Sequence, residues 1–454
     1  MRSRIALVIT LLFAFATSTW TISAQGLWQH GVLNLIVLAM LVALIQAHRS
    51  PQPWRWHLAA GLACGLLPGI RQTGLLFAAV ALLYRLWRDR GRSAWFCLGW
   101  ISAIPALWWN WHYFGNALTG AYRDATYLYQ WDHFSTSLPG LLLSPSRGLL
   151  IFTPIALFAV PGFWQLLKQL KRQQLTHTEL TLKSSIDWLL AGIWIAGCGV
   201  LLTYSFFGQW HGGYCYGPRF MTDVAPIVCL MLGYYLDALR QAWPQQKRLA
   251  GLLFGLAASF SMLTQVAGIA INPTVDWNTI PYSFGYPADL PRAWDWQDSQ
   301  LMRSFHGMQH HSYAKMLNTE KYVTQFRGRI LQVTDFQDQA ITPPGRLDRA
   351  VPYQFLKIQI QNQGHHRWYG YQTGIGIGET MVQGDLYNAQ NQRISTTIFY
   401  LSSTCLPGET CSAIGQLFTP TPPGNYSLKL QLALVGIGPQ PNRNPPYRLT
   451  LAVP

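Results

Sequence analysis

Acidic residues are scarce in this chain of 454 residues, in which 18 Asp and Glu stand against 33 Lys and Arg. Charged residues of both signs make up only 11% of the sequence, whereas about 25% is usual in soluble domains. Half of the residues are hydrophobic. The sequence also lacks a phosphate-cradling glycine loop followed by a Rossmann unit, and no stretch is typical of a basic nucleic-acid groove. These absences argue against a chain that is soluble throughout and against nucleotide or nucleic-acid binding.

Nine apolar segments fill the first 272 residues, and several approach the ~20 residues that a helix needs to cross a bilayer. They are Ile5–Ser23, Gly31–Gln46, Leu58–Pro68, Thr73–Leu86, Ala94–Trp109, Gly148–Leu167, Trp188–Phe207, Phe220–Ala238 and Leu249–Ile271. From Asn272 onward the sequence becomes polar, proline-rich and alternating. We therefore expect a multi-helix membrane domain over 1–272, an irregular connector over 273–325 and a soluble domain over 326–454.

The basic residues predict the orientation of these helices. Of the nineteen before Asn272, fifteen fall in five patches: Arg2 and Arg4; Arg49 and Arg55; Arg85, Arg88, Arg90 and Arg92; Lys168, Lys171, Arg172 and Lys183; and Arg240, Lys247 and Arg248. The positive-inside rule places these patches in the cytoplasm. It also favours a hairpin over Leu58–Leu86, with its tip at Pro68–Thr73. The pattern predicts nine membrane helices, an inside N-terminus and an outside C-terminus. A cleaved signal peptide over Met1–Ala24 is the alternative, and it leaves the downstream topology unchanged.

The stretch WHGGYCYGPRF, residues 210–220, lies in one of the predicted outer loops. Its glycines allow backbone conformations that other residues avoid, and Pro218 suits the first turn of a following helix. A helix that begins near Arg219 at the outer interface is favourable for binding an anion. The alternative is a structural ion pair between Arg219 and Asp223, one turn apart.

Two further arginines lie on the same predicted outer side. Arg71 sits at the hairpin tip, where a charge is costly unless it is paired or hydrated. Together with Arg219, and more weakly Arg147, it could hold a lipid phosphate by forked hydrogen bonds. A snorkelling side chain is the alternative for Arg71. The outer loop Tyr113–Arg147 is rich in Tyr and Trp, which predicts either an interfacial aromatic belt or a platform for sugars or lipid head groups.

Four stretches carry a resemblance to a known family: Ala14–Gly31, Ala60–Leu76, Leu141–Ile155 and Gly212–Ile227. With them the chain resembles bacterial polytopic glycosyltransferases of the GT-C superfamily, among them relatives of protein O-mannosyltransferases and lipid A aminosugar transferases. The resemblance implies a bacterial inner-membrane enzyme with its C-terminal domain outside the cytoplasm. Such an enzyme transfers a sugar from a polyprenyl-phosphate donor to a glycan, lipid or protein acceptor. We expect Trp210, His211 and Tyr216, with His30, to line the substrate cleft.

The sequence departs from this family at its acidic loop. In the family an acidic residue of the first outer loop usually serves as catalytic base or metal ligand, but Thr17–His30 contains no Asp or Glu. The chain would then be a truncated product, a product with a wrongly assigned start or a degenerate relative. Asp124 and Asp132 are weak candidates for the base, and a divalent metal stays open although no metal-site signature is present. A non-catalytic scaffold or glycolipid-binding protein is the alternative function. A transporter is disfavoured because paired intramembrane charges and internal repeats are lacking.

The sequence of the C-terminal domain predicts β structure. Apolar and polar residues alternate over Tyr353–Gln361 and Asn425–Val435, which indicates half-buried strands. Turn signals separate these and further strands, and we expect an immunoglobulin-like sandwich in which Trp368 belongs to the core. Cys405 and Cys411 favour a disulfide in an oxidising compartment, with two free thiols as the alternative. The other five cysteines are expected to be apolar fillers.

Overall fold

The computed structural model describes residues 3–88, 93–120, 129–176, 182–241, 244–271, 277–282, 287–306, 319–440 and 444–454. The chain divides into two compact units. The first comprises Met1–Ile269 with Leu290–Asp295, and the second comprises Ala270–Asp289 with Trp296–Pro454. The first unit is helical and the second contains the β structure.

Every one of the nine apolar segments lies mainly on helical structure, and only the last two residues of Leu249–Ile271 fall outside the first unit. The α-helices are α1 (Ser3–Phe15), α2 (Gln29–Ala47), α3 (Pro53–Ile70), α4 (Gly74–Arg88), α5 (Ser93–Gly99), α6 (Ile104–Phe114), α7 (Phe134–Leu143), α8 (Leu149–Phe152), α9 (Ala159–Thr176), α10 (Leu182–Ser205), α11 (Ala225–Gln241) and α12 (Pro244–Ile271). Short 3-10 segments at Trp100–Ala103, Trp131–His133, Pro154–Phe158 and Arg219–Val224 connect or extend them.

Among the described residues, four helical stretches are long and apolar enough to cross a membrane, which supports a membrane protein. They are Gln29–Ala47, Leu182–Ser205, Arg219–Gln241 and Pro244–Ala270. The remaining crossings stay a prediction. The hairpin break expected near Pro68–Thr73 is present, because α3 ends at Ile70 and α4 begins at Gly74. A side chain at Gly74 would place its Cβ 2.7 Å from the carbonyl oxygen of Leu67, so this turn requires a glycine.

Contacts between helix ends define two ends of the helical unit. At one of them, which we call the loop end, four side chains meet: His30 at the start of α2, Arg71 after α3, Tyr204 in the last turn of α10 and Asp223 before α11. The consecutive helices α2 and α3 therefore run antiparallel, and so do α10 and α11.

The opposite end, called the basic end, is marked by a different set of contacts. His48, directly after α2, lies 2.8 Å from the hydroxyl of Tyr84 near the end of α4. Trp87 packs against Trp188, near the start of α10, with ring centroids 6.1 Å apart. Arg85 and Arg88 lie in the last turn of α4 at this end. The basic patch on α4 is thus separated along the helices from Arg71 and Arg219.

The described strands of the second unit number nine and form one curved sheet. They are β1 (Gly328–Thr334), β2 (Gly345–Arg346), β3 (Tyr353–Asn362), β4 (Thr380–Tyr387), β5 (Arg393–Leu401), β6 (Thr410–Phe418), β7 (Gly424–Leu434), β8 (Gly438–Pro439) and β9 (Tyr447–Val453). Their order is β1-β3-β6-β5-β4-β7-β9-β2, with β8 paired to β7. All pairs are antiparallel except β2 with β9. A short helix, α13 (Thr319–Gln325), precedes β1.

The immunoglobulin-like sandwich is not confirmed, because hydrogen bonds join all the described strands into a single sheet. Period-two alternation shows which side of a strand is buried, but it does not show how many sheets the strands form. Trp368 lies in the core as expected, 1% exposed and packed against Phe326 at 5.1 Å. Cys405 and Cys411 are joined by a disulfide.

Candidate functional site at the loop end

A closed triangle of polar side chains lies inside the loop end. The carboxylate of Asp223 contacts His30 Nδ1 at 2.7 Å through Oδ1 and Arg71 Nε at 3.1 Å through Oδ2. The third side is formed by Arg71 Nη1 and His30 Nε2, 3.2 Å apart. The hydroxyl of Thr73 donates to Oδ2 of Asp223 at 3.3 Å. Each side chain in this triangle therefore makes at least one hydrogen bond to another of them or to a neighbouring residue, as low-dielectric surroundings require.

The triangle fixes the tautomer of His30. Arginine can only donate, so His30 Nε2 must accept from Arg71 and His30 Nδ1 must carry the proton that Asp223 accepts. The imidazole is then neutral, and the charges of Asp223 and Arg71 cancel each other. The alternative of an ion pair between Arg219 and Asp223 is not observed among the described residues. Asp223 is 1% exposed, and both of its oxygens are used by His30 of α2 and by Arg71 and Thr73 in the turn between α3 and α4.

A stacked aromatic pair links the triangle to Arg219. Arg71 Nη2 donates a hydrogen bond to the hydroxyl of Tyr204. The ring of Tyr204 stacks on Phe220, with centroids 4.3 Å apart and an interplanar angle of 6°. Phe220 in turn lies beneath the guanidinium of Arg219 at 5.2 Å. Arg71 and Arg219 are thus neighbours at one end of the helical unit, and both interact electrostatically with His30.

Arg219 itself has a different environment from Arg71. Its guanidinium carbon lies 4.8 Å from the ring of Trp28, so the cation rests between two aromatic faces. Within the described part of the chain it makes no side-chain hydrogen bond and no ion pair, and its buried Nε lacks an acceptor. The side chain is partly exposed. Arg219 therefore keeps a positive charge and free N–H donors that a ligand can use.

Arg147 holds the glycine-rich loop in place. It is 1% exposed and donates to the carbonyl oxygens of Ser146 at 3.1 Å and Gly213 at 3.0 Å. His211 contributes to the same loop, because its Nδ1 accepts the backbone N–H of Gly213 at 3.1 Å. Burial, and then the charges of Arg147 and Arg219, lower the pKa of His211 to about 3. His211 is consequently neutral at physiological pH, as an acceptor must be.

Trp210 and Tyr216 brace this loop from within. Trp210 is 2% exposed, and its ring occupies the space in which a side chain on Gly140 would lie. The hydroxyl of Tyr216, 3% exposed, donates to the carbonyl oxygen of Thr264 in α12 at 2.8 Å. Both rings are packed against protein atoms. Neighbouring elements thus surround both rings, and a substrate cleft at Trp210 and Tyr216 stays a prediction.

The aromatic outer loop contributes a second surface at this end. Tyr129 and Phe207 form an isolated β-bridge, and their rings lie 4.9 Å apart. Asp132 follows in the 3-10 turn Trp131–His133 and is exposed, with no ion pair among the residues that the structure describes. Asp124 lies outside the described residues. Asp132 thus stays a candidate base without an ion-pair partner in the described residues.

The residues at the loop end do not fit a divalent cation. Asp223 offers a carboxylate, but His30 and Arg71 occupy its oxygens and the charge of Arg71 repels a cation. Among the described residues, the one cluster of potential metal-binding atoms is Cys405, Glu409 and Cys411 in the second unit. The disulfide there removes the thiolates that a metal would need.

Sequence reasoning missed Tyr204, Thr73 and Trp28. Tyr204 lies in the last turn of α10 and Thr73 in the turn before α4, and the apolar sequence around both is typical of a membrane helix without a function. A signal was available for Asp223, because an acidic residue inside a predicted membrane segment must find a partner in a neighbouring helix. That rule points to a buried pair, but it does not select His30 and Arg71 from the possible partners.

Comparison with known proteins adds no family to this description. No protein-family model matches the chain, and no curated protein matches it significantly. Among solved structures it is similar to the Pseudomonas fluorescens alkylpurine DNA glycosylase AlkC bound to DNA containing an abasic site analog. The two share 12% sequence identity over 89% of this chain and 82% of that chain, with a TM-score of 0.17. A TM-score this low shows no common fold and carries no functional argument.

Proposed function

We propose that the chain is a polytopic membrane glycosyltransferase of the GT-C type, or a degenerate relative of one. It would take a sugar from a polyprenyl-phosphate donor and pass it to a glycan, lipid or protein on the outer face of a bacterial inner membrane. The proposal includes nine helical crossings with the loop end outside. One observation carries it. Within the described residues the guanidinium of Arg219 has no carboxylate partner, and it lies against the rings of Trp28 and Phe220 beside the neutral triangle of Asp223, His30 and Arg71.

The charge balance supports a phosphate ligand at Arg219. Asp223 neutralises Arg71, and His30 and His211 are both held neutral by their hydrogen bonds. The positive charge of Arg219 is left without a carboxylate among the described residues. A phosphate monoester or diester supplies the missing negative charge and accepts forked N–H donors.

The reaction would use this charge on the leaving group. The acceptor hydroxyl oxygen attacks the anomeric carbon and forms the new glycosidic bond, while the bond from that carbon to the phosphate oxygen breaks. The bonding electrons leave with the polyprenyl phosphate, and Arg219 stabilises the charge that develops there. The proton of the acceptor hydroxyl needs a base. Asp132 and Asp124 stay the candidates, because both oxygens of Asp223 are occupied.

A non-catalytic glycolipid-binding protein is the second candidate. It is favoured by the occupied state of Asp223, which leaves no free carboxylate next to Arg219 in the part of the chain that the structure describes. Both functions require the phosphate site. They differ in whether a sugar leaves the lipid.

The test measures lipid binding and sugar transfer separately in the full chain reconstituted into lipid nanodiscs. We expect Arg219→Ala to weaken binding of a polyprenyl phosphate by roughly 10- to 100-fold, since a hydrogen-bonded ion contributes about 1.5–3 kcal/mol. Arg240→Ala is the control, because Arg240 is a basic residue at the end of α11 whose nearest acid is Asp237. Equal binding of the polyprenyl phosphate by the wild type and by Arg219→Ala would show that Arg219 does not bind the phosphate. Binding without transfer from a panel of polyprenyl-phosphate sugars would leave the glycolipid-binding function.

A further inference from the structure

One face of helix α9 is apolar in its first half and positively charged in its second. Val160, Trp164, Lys168 and Lys171 follow one another at spacings of four, four and three residues, so their side chains lie on the same face of the helix. Val160 is 63% exposed and Trp164 is 58% exposed, and both lysines are exposed as well. We call these four residues the α9 face. The phosphate chemistry proposed for the loop end makes no use of it.

The opposite side of α9 is packed against the protein. Leu166 and Leu170 are 0% and 3% exposed. A Cβ on Gly162 would lie 2.0 Å from the carbonyl oxygen of Met231 in α11, so a glycine is required for this close approach of the two helices. Because the buried side of α9 is fixed in this way, the α9 face points outward from the helical unit.

The charged half of the α9 face lies toward the basic end. Gln173, in the last turn of α9, donates through Nε2 to Oδ2 of Asp187 at 3.0 Å, near the start of α10. From Val160 to Lys171 the helix rises about 16 Å, at 1.5 Å per residue. This length is close to half of the ~30 Å hydrocarbon core of a bilayer. The α9 face thus has the length of one membrane leaflet, with its lysines on the head-group side.

The acidic side chains of α9 and its neighbouring helices do not compensate the two lysines. α9 contains no Asp or Glu. In α10, Asp187 is 2% exposed and bonded to Gln173 and to the hydroxyl of Tyr234. In α11, Asp237 pairs with Arg240 at 3.7 Å. Within the described residues the lysines of the α9 face make no ion pair, so both positive charges are available to an external partner.

An aromatic ring joins the apolar half of the α9 face to the charged half. Nζ of Lys168 lies 5.8 Å from the ring centroid of Trp164. Indole rings concentrate at the boundary between a membrane and water, because one part of the ring is apolar and the N–H is polar. The order along α9, from apolar side chain to indole to ammonium group, therefore matches the order from acyl chain to interface to phosphate in a phospholipid.

We infer that the α9 face binds an anionic phospholipid from the leaflet at the basic end. The two ammonium groups attract the phosphodiester, and Val160 and the indole of Trp164 border the acyl chain. A zwitterionic phospholipid places its own cation beside the lysines, and an acidic soluble protein leaves the apolar half of the face uncovered. The inference does not depend on the proposed function, because Arg219 lies at the loop end.

Native mass spectrometry tests the inference on the full chain with equal amounts of phosphatidylglycerol and phosphatidylcholine that carry the same acyl chains. We expect the wild type to retain more phosphatidylglycerol. The ratio of bound phosphatidylglycerol to phosphatidylcholine should fall at least fivefold in Lys168→Gln/Lys171→Gln, since each basic side chain near an anionic lipid surface contributes roughly fivefold in affinity.

Lys247→Gln/Arg248→Gln is the matched control, because it removes two exposed positive charges near the start of α12 and leaves the α9 face intact. Its lipid ratio should stay within twofold of the wild-type ratio. A wild type without preference for phosphatidylglycerol overturns the inference. An unchanged ratio in Lys168→Gln/Lys171→Gln, or an equal fall in both double variants, overturns it too.

Soluble anions show whether the partner is a lipid. Retention of bound phosphatidylglycerol in the presence of inorganic phosphate and of polyglutamate supports a lipid site. Displacement by inorganic phosphate shows a general phosphate site, displacement by polyglutamate shows a docking surface for an acidic protein, and either result overturns the inference. Arg219→Ala separates the two proposals, because it should weaken binding of a polyprenyl phosphate and leave the ratio of phosphatidylglycerol to phosphatidylcholine within twofold of the wild type.

Discussion

The carboxylate of Asp223 pairs with the imidazole of His30 at 2.7 Å, across 193 residues of sequence. This contact ties the start of α2 to the turn before α11 at the loop end. It also decides the electrostatics of the site, because an Asp223 engaged with His30 and Arg71 is not available to Arg219. The arginine of the glycine-rich loop is therefore free to bind an anion.

Replacing Asp223 by Asn should destabilise the helical unit. The substitution keeps the shape of the side chain but leaves the charge of Arg71, only 13% exposed, without its counter-ion. Breaking a buried ion pair by removing one partner costs about 3–5 kcal/mol. We expect a clearly lower midpoint of thermal unfolding in detergent, measured by loss of the monodisperse protein after heating.

Two further variants test the cause of that loss. Asp132→Asn changes an exposed carboxylate without an ion pair in the described region, and it should shift stability by less than about 0.5 kcal/mol. In the Asp223→Asn background, Arg71→Met removes the stranded charge and should recover part of the stability. If the double variant is no more stable than Asp223→Asn alone, the ion pair is not what holds this region together.

The indole of Trp28 should support phosphate binding by Arg219. The guanidinium carbon lies 4.8 Å from this ring, and a cation on an aromatic face gains about 0.5–2 kcal/mol. Trp28→Ala should therefore weaken binding of a polyprenyl phosphate by roughly 3- to 30-fold, whereas Trp28→Phe should retain part of the affinity. Binding to the full chain in nanodiscs is the measurement.

Trp54 supplies the matched control for this prediction. Arg55 lies over its ring at 5.4 Å, and Trp54 is 41% exposed, close to the 38% of Trp28. This second pair is at the start of α3 and hence at the basic end. A loss of carrier affinity in Trp54→Ala as large as in Trp28→Ala would mean that the effect is a general one on membrane insertion.

The sequence predicted the helices well and their contacts poorly. Apolar runs and the break at Pro68–Thr73 locate α3 and α4, because hydrophobic length and chain breakers act locally. The strand Thr410–Phe418 was not predicted, since its sequence TCSAIGQLF lacks clear alternation. The pairing of Asp223 with His30 and Arg71 could not be predicted, because it depends on how three helix ends meet in space. The spacing of one helical turn pointed to Arg219 as a possible partner of Asp223, but in the folded chain Asp223 pairs with His30 and Arg71.

A side chain at Gly140 should disrupt the brace formed by Trp210. A Cβ there would lie 2.5–2.6 Å from three atoms of the buried indole ring, so the ring or α7 must shift. Overpacking of this kind typically costs 1–3 kcal/mol. Gly140→Ala should lower the midpoint of thermal unfolding. Gly251→Ala is the control, because a Cβ at that position of α12 meets no atom within 4 Å and helix propensity favours alanine by up to about 1 kcal/mol. Equal midpoints for the two variants would contradict the assignment of Trp210 as a structural brace.

The buried His211 should make the loop end sensitive to acid. Its pKa is lowered to about 3 in the folded chain, from 6.5 as a free side chain, by burial and by the charges of Arg147 and Arg219. Above pH 6.5 the residue is neutral whether the chain is folded or unfolded, and its contribution to stability is fully present. As the pH falls from 6.5 toward 3, His211 becomes protonated in the unfolded chain but stays neutral in the folded chain. The free energy of unfolding therefore decreases by about 1 kcal/mol per pH unit.

His211→Asn removes the titration while its amide oxygen can still accept the N–H of Gly213. The wild type should therefore lose more thermal stability than His211→Asn between pH 7 and pH 5, and the two curves should run parallel above pH 7. His133, which is partly exposed, provides the comparison: His133→Asn should leave the acid limb of the wild-type curve in place. An identical loss of thermal stability below pH 7 in the wild type and in His211→Asn would show that the loop does not depend on a neutral imidazole at position 211. It would also contradict the role of His211 as an acceptor for the N–H of Gly213.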